Sequence, residues 1–242
     1  MILITGGEGF VGSYLVEKLS DAQPLDDRSF NKYTFKNTIV MDICSPDIFE
    51  IVKQSDYVIH CACRDIRNSI TKPLEDAEVN ILGTLNLLQA CRKYNKMFVY
   101  ISSVSVHQEA SHYAISKRTA ERYALFYRQW IPTIIIRLSN VFGSRDTESV
   151  IAKWLKNDVI TLIKDGTQTR DFTYIEDAIN GIIKSIEKKP EEIIDIGTGS
   201  QTKLVDLANW LSHNTNKKVI FHPKREIDNV LKRVVDIEKM KT

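Results

Sequence analysis

Four glycines fall within seven positions near the start of the chain, at Gly6, Gly7, Gly9 and Gly12 in Thr5-Gly6-Gly7-Glu8-Gly9-Phe10-Val11-Gly12, although glycine makes up only 10 of the 242 residues. The cluster comes after a β-branched run, Ile2–Thr5, and opens a helical pattern from Phe10. A plain turn does not need this concentration of glycine. In a strand-to-helix turn, Gly6 permits the tight bend, Gly9 lets the backbone approach a pyrophosphate, and Gly12 lets helix and strand pack closely, with phosphates resting on the helix N-terminus.

Apolar runs and helical patterns then alternate. The strands expected are Ile2–Thr5, Thr38–Met41, Tyr57–Cys61, Met97–Ser102 and Thr133–Arg137. The helices expected are Phe10–Leu19, Pro46–Gln54, Leu74–Lys93 and Tyr113–Arg128. Strands apolar on both faces, as in Ile134-Ile135-Ile136, fit a parallel sheet covered by helices on both sides. The fold class is therefore α/β, a Rossmann-type doubly wound parallel sheet over residues 1–143. Residues 144–242 are expected to form a small C-terminal substrate-binding lobe packed on it, with part of the chain returning to the sheet.

Charge narrows the partners. Lys and Arg number 33 against 31 Asp and Glu, a net charge of +2 that gives no strong field for nucleic acid or an anionic membrane. No apolar run approaches a membrane span, and the first strand begins at once, so a cytoplasmic protein is expected. Cys44, Cys61, Cys63 and Cys91 read as reduced thiols. Cys61 and Cys63 stand just after His60, but no second ligand pair is present at zinc spacing, so no metal is expected.

Twenty residues beyond Gly6 stand Asp26 and Asp27, after a stunted second strand Gln23-Pro24-Leu25. An acid here accepts hydrogen bonds from the adenosine ribose and repels a 2′-phosphate, which favours NAD, while the neighbouring Arg28 leaves NADP open. Further on, Ser102 and Ser103 end a strand, and a helix opens with Tyr113-Ala114-Ile115-Ser116-Lys117. Tyr113 and Lys117 share a helix face at i, i+4, so the ammonium is expected to lower the phenol from its usual value near ~10 and make it a usable acid or base. Ser103 is placed to hydrogen-bond the same substrate oxygen.

These residues carry a resemblance. The chain resembles an extended short-chain dehydrogenase/reductase of the NAD-dependent nucleotide-sugar epimerase/dehydratase family, almost end to end. Thr5 to Gly12 is similar to that family's glycine loop, Asp42-Ile43 to the pair that meets the adenine, and His60-Cys61-Ala62-Cys63 to the strand end beneath the cofactor. Ser69, Pro73 and Asn80 to Leu88 resemble its long helix. Arg137 to Gly143, Gly166 to Asp177, Ile196 to Gly199, and Arg225-x-x-Asp228 with Val235-Asp236 resemble its later signatures. The resemblance implies a catalytic set of Ser103, Tyr113 and Lys117. It implies cofactor contacts from Gly6, Gly9, Phe10, Val11, Gly12, Asp26, Asp42, Ile43, Ala62 and Asn80 as well as Tyr113 and Lys117. Arg67, Asn140, Arg170, Arg225 and Asp228 become the candidates for a nucleotide-sugar substrate; guanidinium forks suit a diphosphate. Without the family, Arg170-Asp171 and Arg225-x-x-Asp228 read as local salt bridges, Asn140 as a loop cap, and His107 and His112 as exposed, unpaired side chains.

The chain is short for that family, with a clipped second strand and only ten residues from Ser103 to Tyr113. Val104 and Ser105 stand where sugar dehydratases carry an Asp-Glu pair, which disfavours dehydration. The expected activity is a nucleotide-sugar 4-epimerase working through a transient 4-keto sugar. A nucleotide-4-keto-sugar reductase using NADH or NADPH is the alternative, and a non-catalytic dinucleotide-binding scaffold or sensor the third reading. The helices expected at 74–93 and 113–128 are candidate homodimer faces.

Overall fold

The computed structural model describes residues 1–29, 33–188, 192–223, 232–233 and 235. In chain order the elements are β1 (Ile2–Thr5), α1 (Phe10–Lys18), β2 (Ala22–Asp26), β3 (Ile39–Val40), α2 (Ile48–Gln54), β4 (Tyr57–His60), α3 (Ile66–Thr71) and α4 (Pro73–Ala77). A π-helical turn over Glu78–Gly83 leads into α5 (Thr84–Tyr94), β5 (Met97–Ser103), a 3₁₀ turn over Val104–His107, α6 (His112–Tyr127) and β6 (Thr133–Leu138). Then come β7 (Asn140–Phe142), α7 (Val150–Lys156), β8 (Val159–Ile163), β9 (Thr169–Arg170), β10 (Phe172–Tyr174) and α8 (Ile175–Lys188). The last elements are β11 (Ile194–Ile196), β12 (Thr202–Lys203), α9 (Leu204–Thr215), β13 (Lys218–His222) and β14 (Lys232–Arg233).

The main sheet has seven strands in the order β11-β6-β5-β4-β1-β2-β3. Strand β1 pairs in parallel with both β2 and β4, and β4 with β5. The order reverses beside β1, which puts the carboxyl ends of β1 and β4 at the switch point where doubly wound sheets bind ligands. This is the Rossmann-type arrangement expected from the alternating pattern.

Two compact units divide the chain. The first comprises Met1–Arg137 and Ile179–Ile194, the second Leu138–Ala178 and Asp195–Thr242. The core of the first includes Leu3, Val58, Leu87, Leu88, Phe98, Tyr100 and Ile135, all fully buried. In the second, Trp154, Ile160, Leu162, Ala208 and Leu211 pack together, and the Trp154 indole donates to the Thr161 carbonyl at 2.9 Å. Within this unit β8 and β13 pair in parallel, and Lys217 Nζ reaches the carbonyls of Trp154 and Leu155 near the C-terminal end of α7, where a cation is favoured.

One expectation changes. The single helix at Leu74–Lys93 is instead α4, a π-helical turn and α5, with α3 ahead of them. Pro73 starts α4 at its first position, where a missing N–H costs nothing. The π turn holds Asn80, whose side chain is buried and engaged inside the unit. Among the described residues, no helix is long and apolar enough to cross a membrane.

Candidate active site

The glycine loop joins β1 to α1. Gly6 has φ +65°, a conformation side chains rarely adopt, and a Cβ there would lie 2.6 Å from the Ala62 backbone nitrogen, so the β4 end and the loop touch backbone to backbone. A Cβ at Gly12 would overlap the Gly6 carbonyl. At Gly9 there is more room: among the described residues, the one contact a Cβ would meet within 4 Å is the Gly6 oxygen, at a tight 3.1 Å. Gly9 is also the N-cap of α1, with no side chain capping the helix. A cradle that one methyl would fill, in front of an uncapped nine-residue helix beginning Phe10-Val11-Gly12, is the shape a pyrophosphate needs.

The loop is anchored from below by His60. Its Nδ1 lies 2.7 Å from Thr5 Oγ1 and its Nε2 2.9 Å from Thr84 Oγ1. The Thr84 hydroxyl gives its proton to the Asn80 carbonyl at 2.7 Å, so it accepts from His60. The ring therefore carries its proton on Nε2, and Nδ1 accepts from Thr5. Burial, with the Lys117 charge adding to it, holds His60 well below the usual imidazole value, so it is a neutral brace.

Asp26 closes β2 and is buried; its carboxylate accepts the Glu8 N–H at 3.1 Å and the Arg28 N–H at 2.9 Å. Burial pushes this carboxyl up against the effect of both donors. Glu8, in the loop itself, is fully buried and receives Arg28 through Nε and Nη2, both at 3.1 Å, with Phe35 N at 3.0 Å and Thr38 Oγ1 at 2.6 Å. Burial works to raise Glu8, but these donors outweigh it and hold the carboxyl below its ordinary value. Spacing does not single out Glu8 as part of the candidate site; the one sequence signal for it is an acid set inside a glycine loop.

Asp42 is exposed and accepts the Cys44 N–H, whereas Ile43 is buried in the core with its carbonyl on Asn86 Nδ2. Asn80 faces inward: its Nδ2 donates to Asp76 at 2.7 Å and Ser116 at 3.1 Å, and its Oδ1 accepts the Arg64 N–H at 2.8 Å. It fixes the segment after Cys63 to α4 and α6. Arg67 is an exposed residue of α3, a helix capped by Asp65.

Ser103, Tyr113 and Lys117 come together in the first unit. Ser103 ends β5, and its hydroxyl accepts the Ser105 N–H at 3.2 Å and acts to favour the ionised Tyr113 phenol. Lys117 is buried, its Nζ donating to the Ile101 carbonyl at 2.7 Å and lying 4.4 Å from the Tyr100 ring centroid. The helix bearing Tyr113 starts at Ser111, whose hydroxyl caps Ala114 N–H at 3.1 Å. One expectation is corrected: Tyr113 is pushed up, not down. Burial and the neighbouring Cys63 raise it, and the opposing Lys117 charge and Ser103 hydrogen bond do not compensate. The two histidines are also corrected. His112, although exposed, is paired, its Nδ1 donating to the Ser69 carbonyl at 2.9 Å. His107 is likewise exposed and likewise partnered.

The second unit holds Asn140 and Arg170. Asn140 Nδ2 donates to the Asp171 carbonyl at 3.2 Å, and Arg170 Nη1 to the Thr169 carbonyl at 2.8 Å. The expected local bridge at Arg170-Asp171 gives way to another arrangement: the fully buried Asp171 carboxylate gathers Thr198 N–H and hydroxyl, Gly199 N–H and Val235 N–H. Arg225, Asp228 and Asp236 lie outside the described residues.

Comparison with known proteins matches residues 2–197 to the model of the NAD dependent epimerase/dehydratase family. A protein of Methanocaldococcus jannaschii named as a putative UDP-glucose 4-epimerase is 32% identical, over 99% of this chain and 90% of its own length. That alignment runs to 278 positions, longer than this chain, so the relative carries segments missing here. A UDP-N-acetyl-alpha-D-glucosaminuronate decarboxylase of Bacillus cytotoxicus is 30% identical, with the same coverage. The crystal structure of the Thermotoga maritima UDP-glucose 4-epimerase with UDP-glucose superposes with a TM-score of 0.91 at 28% identity, covering 99% of this chain and 91% of the other.

Proposed function

The chain belongs to the NAD dependent epimerase/dehydratase family, and from that premise we propose that it is a nucleotide-sugar 4-epimerase with Tyr113 as its acid and base. The carrying observation is the Ser103-Tyr113-Lys117 group together with the two residues after Ser103. Val104 and Ser105 are both buried, so the turn after the catalytic serine offers no carboxyl group to drive elimination of water.

NAD, when bound, supplies the oxidant that removes a hydride from the sugar C4 and returns it. The loop residues Gly9, Phe10, Val11 and Gly12 would hold the pyrophosphate, and Asp26 the adenosine ribose. Tyr113 takes the proton from the C4 hydroxyl, and Ser103 holds the same oxygen by hydrogen bond. Lys117, fixed by the Ile101 carbonyl, presents its charge to the phenol and so favours the phenolate that accepts this proton. The 4-keto sugar then turns over, and Tyr113 returns the proton to the C4 oxygen of the other epimer. Asn140, Arg67 and Arg170 are the described candidates for the nucleotide sugar, whose diphosphate suits an arginine fork.

A second reading, nucleotide-sugar decarboxylation, is supported by the decarboxylase named among the relatives. It uses the same oxidation at C4 but needs a carboxylate at C5. Incubating the chain with NAD and, separately, UDP-glucose and UDP-glucuronate separates them by proton NMR. Appearance of the C4 epimer of UDP-glucose supports the epimerase, while release of CO₂ from the uronate with no epimer formed supports the decarboxylase.

A further inference from the structure

The proposed chemistry does not use the Glu8–Arg28 pair, and four features make that pair unusual. Glu8 is a fully buried carboxylate inside a phosphate-type loop. Its partner Arg28 is half-exposed and sits two residues past Asp26, the acid at the ribose end of β2. The pairing is bidentate, the strongest geometry a guanidinium has for a carboxylate. Finally, the Arg28 backbone has φ +58°, which a non-glycine residue holds only when its surroundings demand it; Asp26 grips its N–H while Glu8 grips its side chain.

We infer that Glu8 is a cofactor-discriminating residue: by holding the Arg28 guanidinium and standing beside Asp26, it makes the site accept NAD and refuse a 2′-phosphorylated dinucleotide. Arg28 is the cation placed to meet a phosphate on the ribose, and such a cation is what NADP sites require. Here its fork is closed on Glu8. An incoming 2′-phosphate meets the Asp26 carboxylate and a guanidinium whose charge Glu8 already balances and whose fork is turned onto Glu8, while a ribose diol needs only an acceptor, which Asp26 retains. Phe35 N–H and Thr38 Oγ1 bond the same Glu8 oxygen, so the segment carrying Arg28 is pinned at both ends of the contact.

This inference rests on the loop being the dinucleotide site, and the test separates the two. Dissociation constants of NAD⁺ and NADP⁺ are measured by calorimetry for the wild type, Glu8→Gln, Arg28→Ala and the double variant. The wild type is expected to bind NADP⁺ about a hundredfold more weakly than NAD⁺. Glu8→Gln is expected to narrow that ratio by about tenfold through tighter NADP⁺ binding, and the double variant to lose the gain, because the freed guanidinium is its source. Should Glu8→Gln fail to fold, Arg28→Ala decides: NADP⁺ weakens further while NAD⁺ changes less than about threefold. An unchanged ratio in Glu8→Gln, or equal changes for both cofactors in Arg28→Ala, overturns the role of Glu8. Wild-type protein that binds neither dinucleotide overturns the cofactor site itself.

Discussion

One turn of α6 separates Lys117 from Glu121, and each is bolted to a consecutive residue of β5. Lys117 Nζ donates to the Ile101 carbonyl at 2.7 Å, and Glu121 accepts the Ser102 hydroxyl at 2.6 Å. Glu121 is fully buried and also holds Arg137 through Nε at 2.8 Å and Nη2 at 2.7 Å. Tyr113, Lys117 and Glu121 form one stripe at i, i+4, i+8, so the face carrying the proposed acid and base is set by the same contacts that seat the helix. Replacing Glu121 with Ala leaves Arg137 buried without its carboxylate, and urea unfolding is expected to show a loss of about 3–5 kcal/mol. Glu121→Leu with Arg137→Met removes both charges and is expected to recover most of that loss.

Tyr113→Phe removes only the phenolic oxygen. Epimerisation is expected to fall by at least about a thousandfold, while NAD⁺ binding, measured by calorimetry, stays within about threefold. Lys117→Met acts in a defined direction. Lys117 lowers Tyr113 against the burial that raises it, so without the ammonium the phenol rises further and the ascending limb of the kcat/KM profile moves to higher pH.

The two glycines at the mouth of the loop behave differently. Gly9→Ala brings its methyl to 3.1 Å from the Gly6 oxygen, a contact that a shift of a few tenths of an ångström relieves, so Tm is expected to fall by no more than about 4 °C. NAD⁺ affinity is nevertheless expected to drop at least about tenfold, because the methyl occupies the cradle. Gly12→Ala meets the Gly6 backbone directly, and its expected signature is loss of stability, read from the same thermal scan.

The histidine brace makes stability depend on pH. His60 is held well below 6.5 in the folded chain, chiefly by burial, so beneath that value the unfolded chain binds a proton the folded chain refuses. Above about pH 6.5 this group contributes no penalty; on acidification each pH unit costs about 1.4 kcal/mol until the folded value is reached. Urea unfolding at pH 7.5 and 5.5 is expected to show a smaller loss for His60→Asn than for the wild type.

Much of the first unit is legible in local patterns. Strands β1, β4, β5 and β6 are β-branched or aromatic runs, and the glycine loop lies where strand turns to helix. Ser103, Tyr113 and Lys117 are visible because a strand end and an i, i+4 pair are local signals. The features that escape sequence patterning depend on partners far apart in the chain. Glu8 meets Arg28 across 20 positions, and Glu121 meets Arg137 across 16, with no periodicity to announce either. The direction of the Tyr113 shift is hidden for the same reason. Spacing reveals the helpful Lys117, but burial and the neighbouring Cys63 come from tertiary packing. The helix expected at 74–93 conceals a π turn because apolar spacing does not register the inward bonds of Asn80. In the second unit β7, β9, β10 and β12 have only two or three residues each, too few to show a period, and Asp171 gathers backbone groups from segments distant in sequence.

In the proposed reaction, hydride leaves and returns at one carbon while Tyr113 moves the proton. The most direct measurement supplies UDP-glucose deuterated at C4 to the protein with NAD in ordinary water and reads the product by mass spectrometry and NMR. Full retention of deuterium at C4 of the galacto epimer, abolished in Tyr113→Phe, is the expected result. Deuterium lost to solvent, or conversion that persists in Tyr113→Phe, contradicts the account.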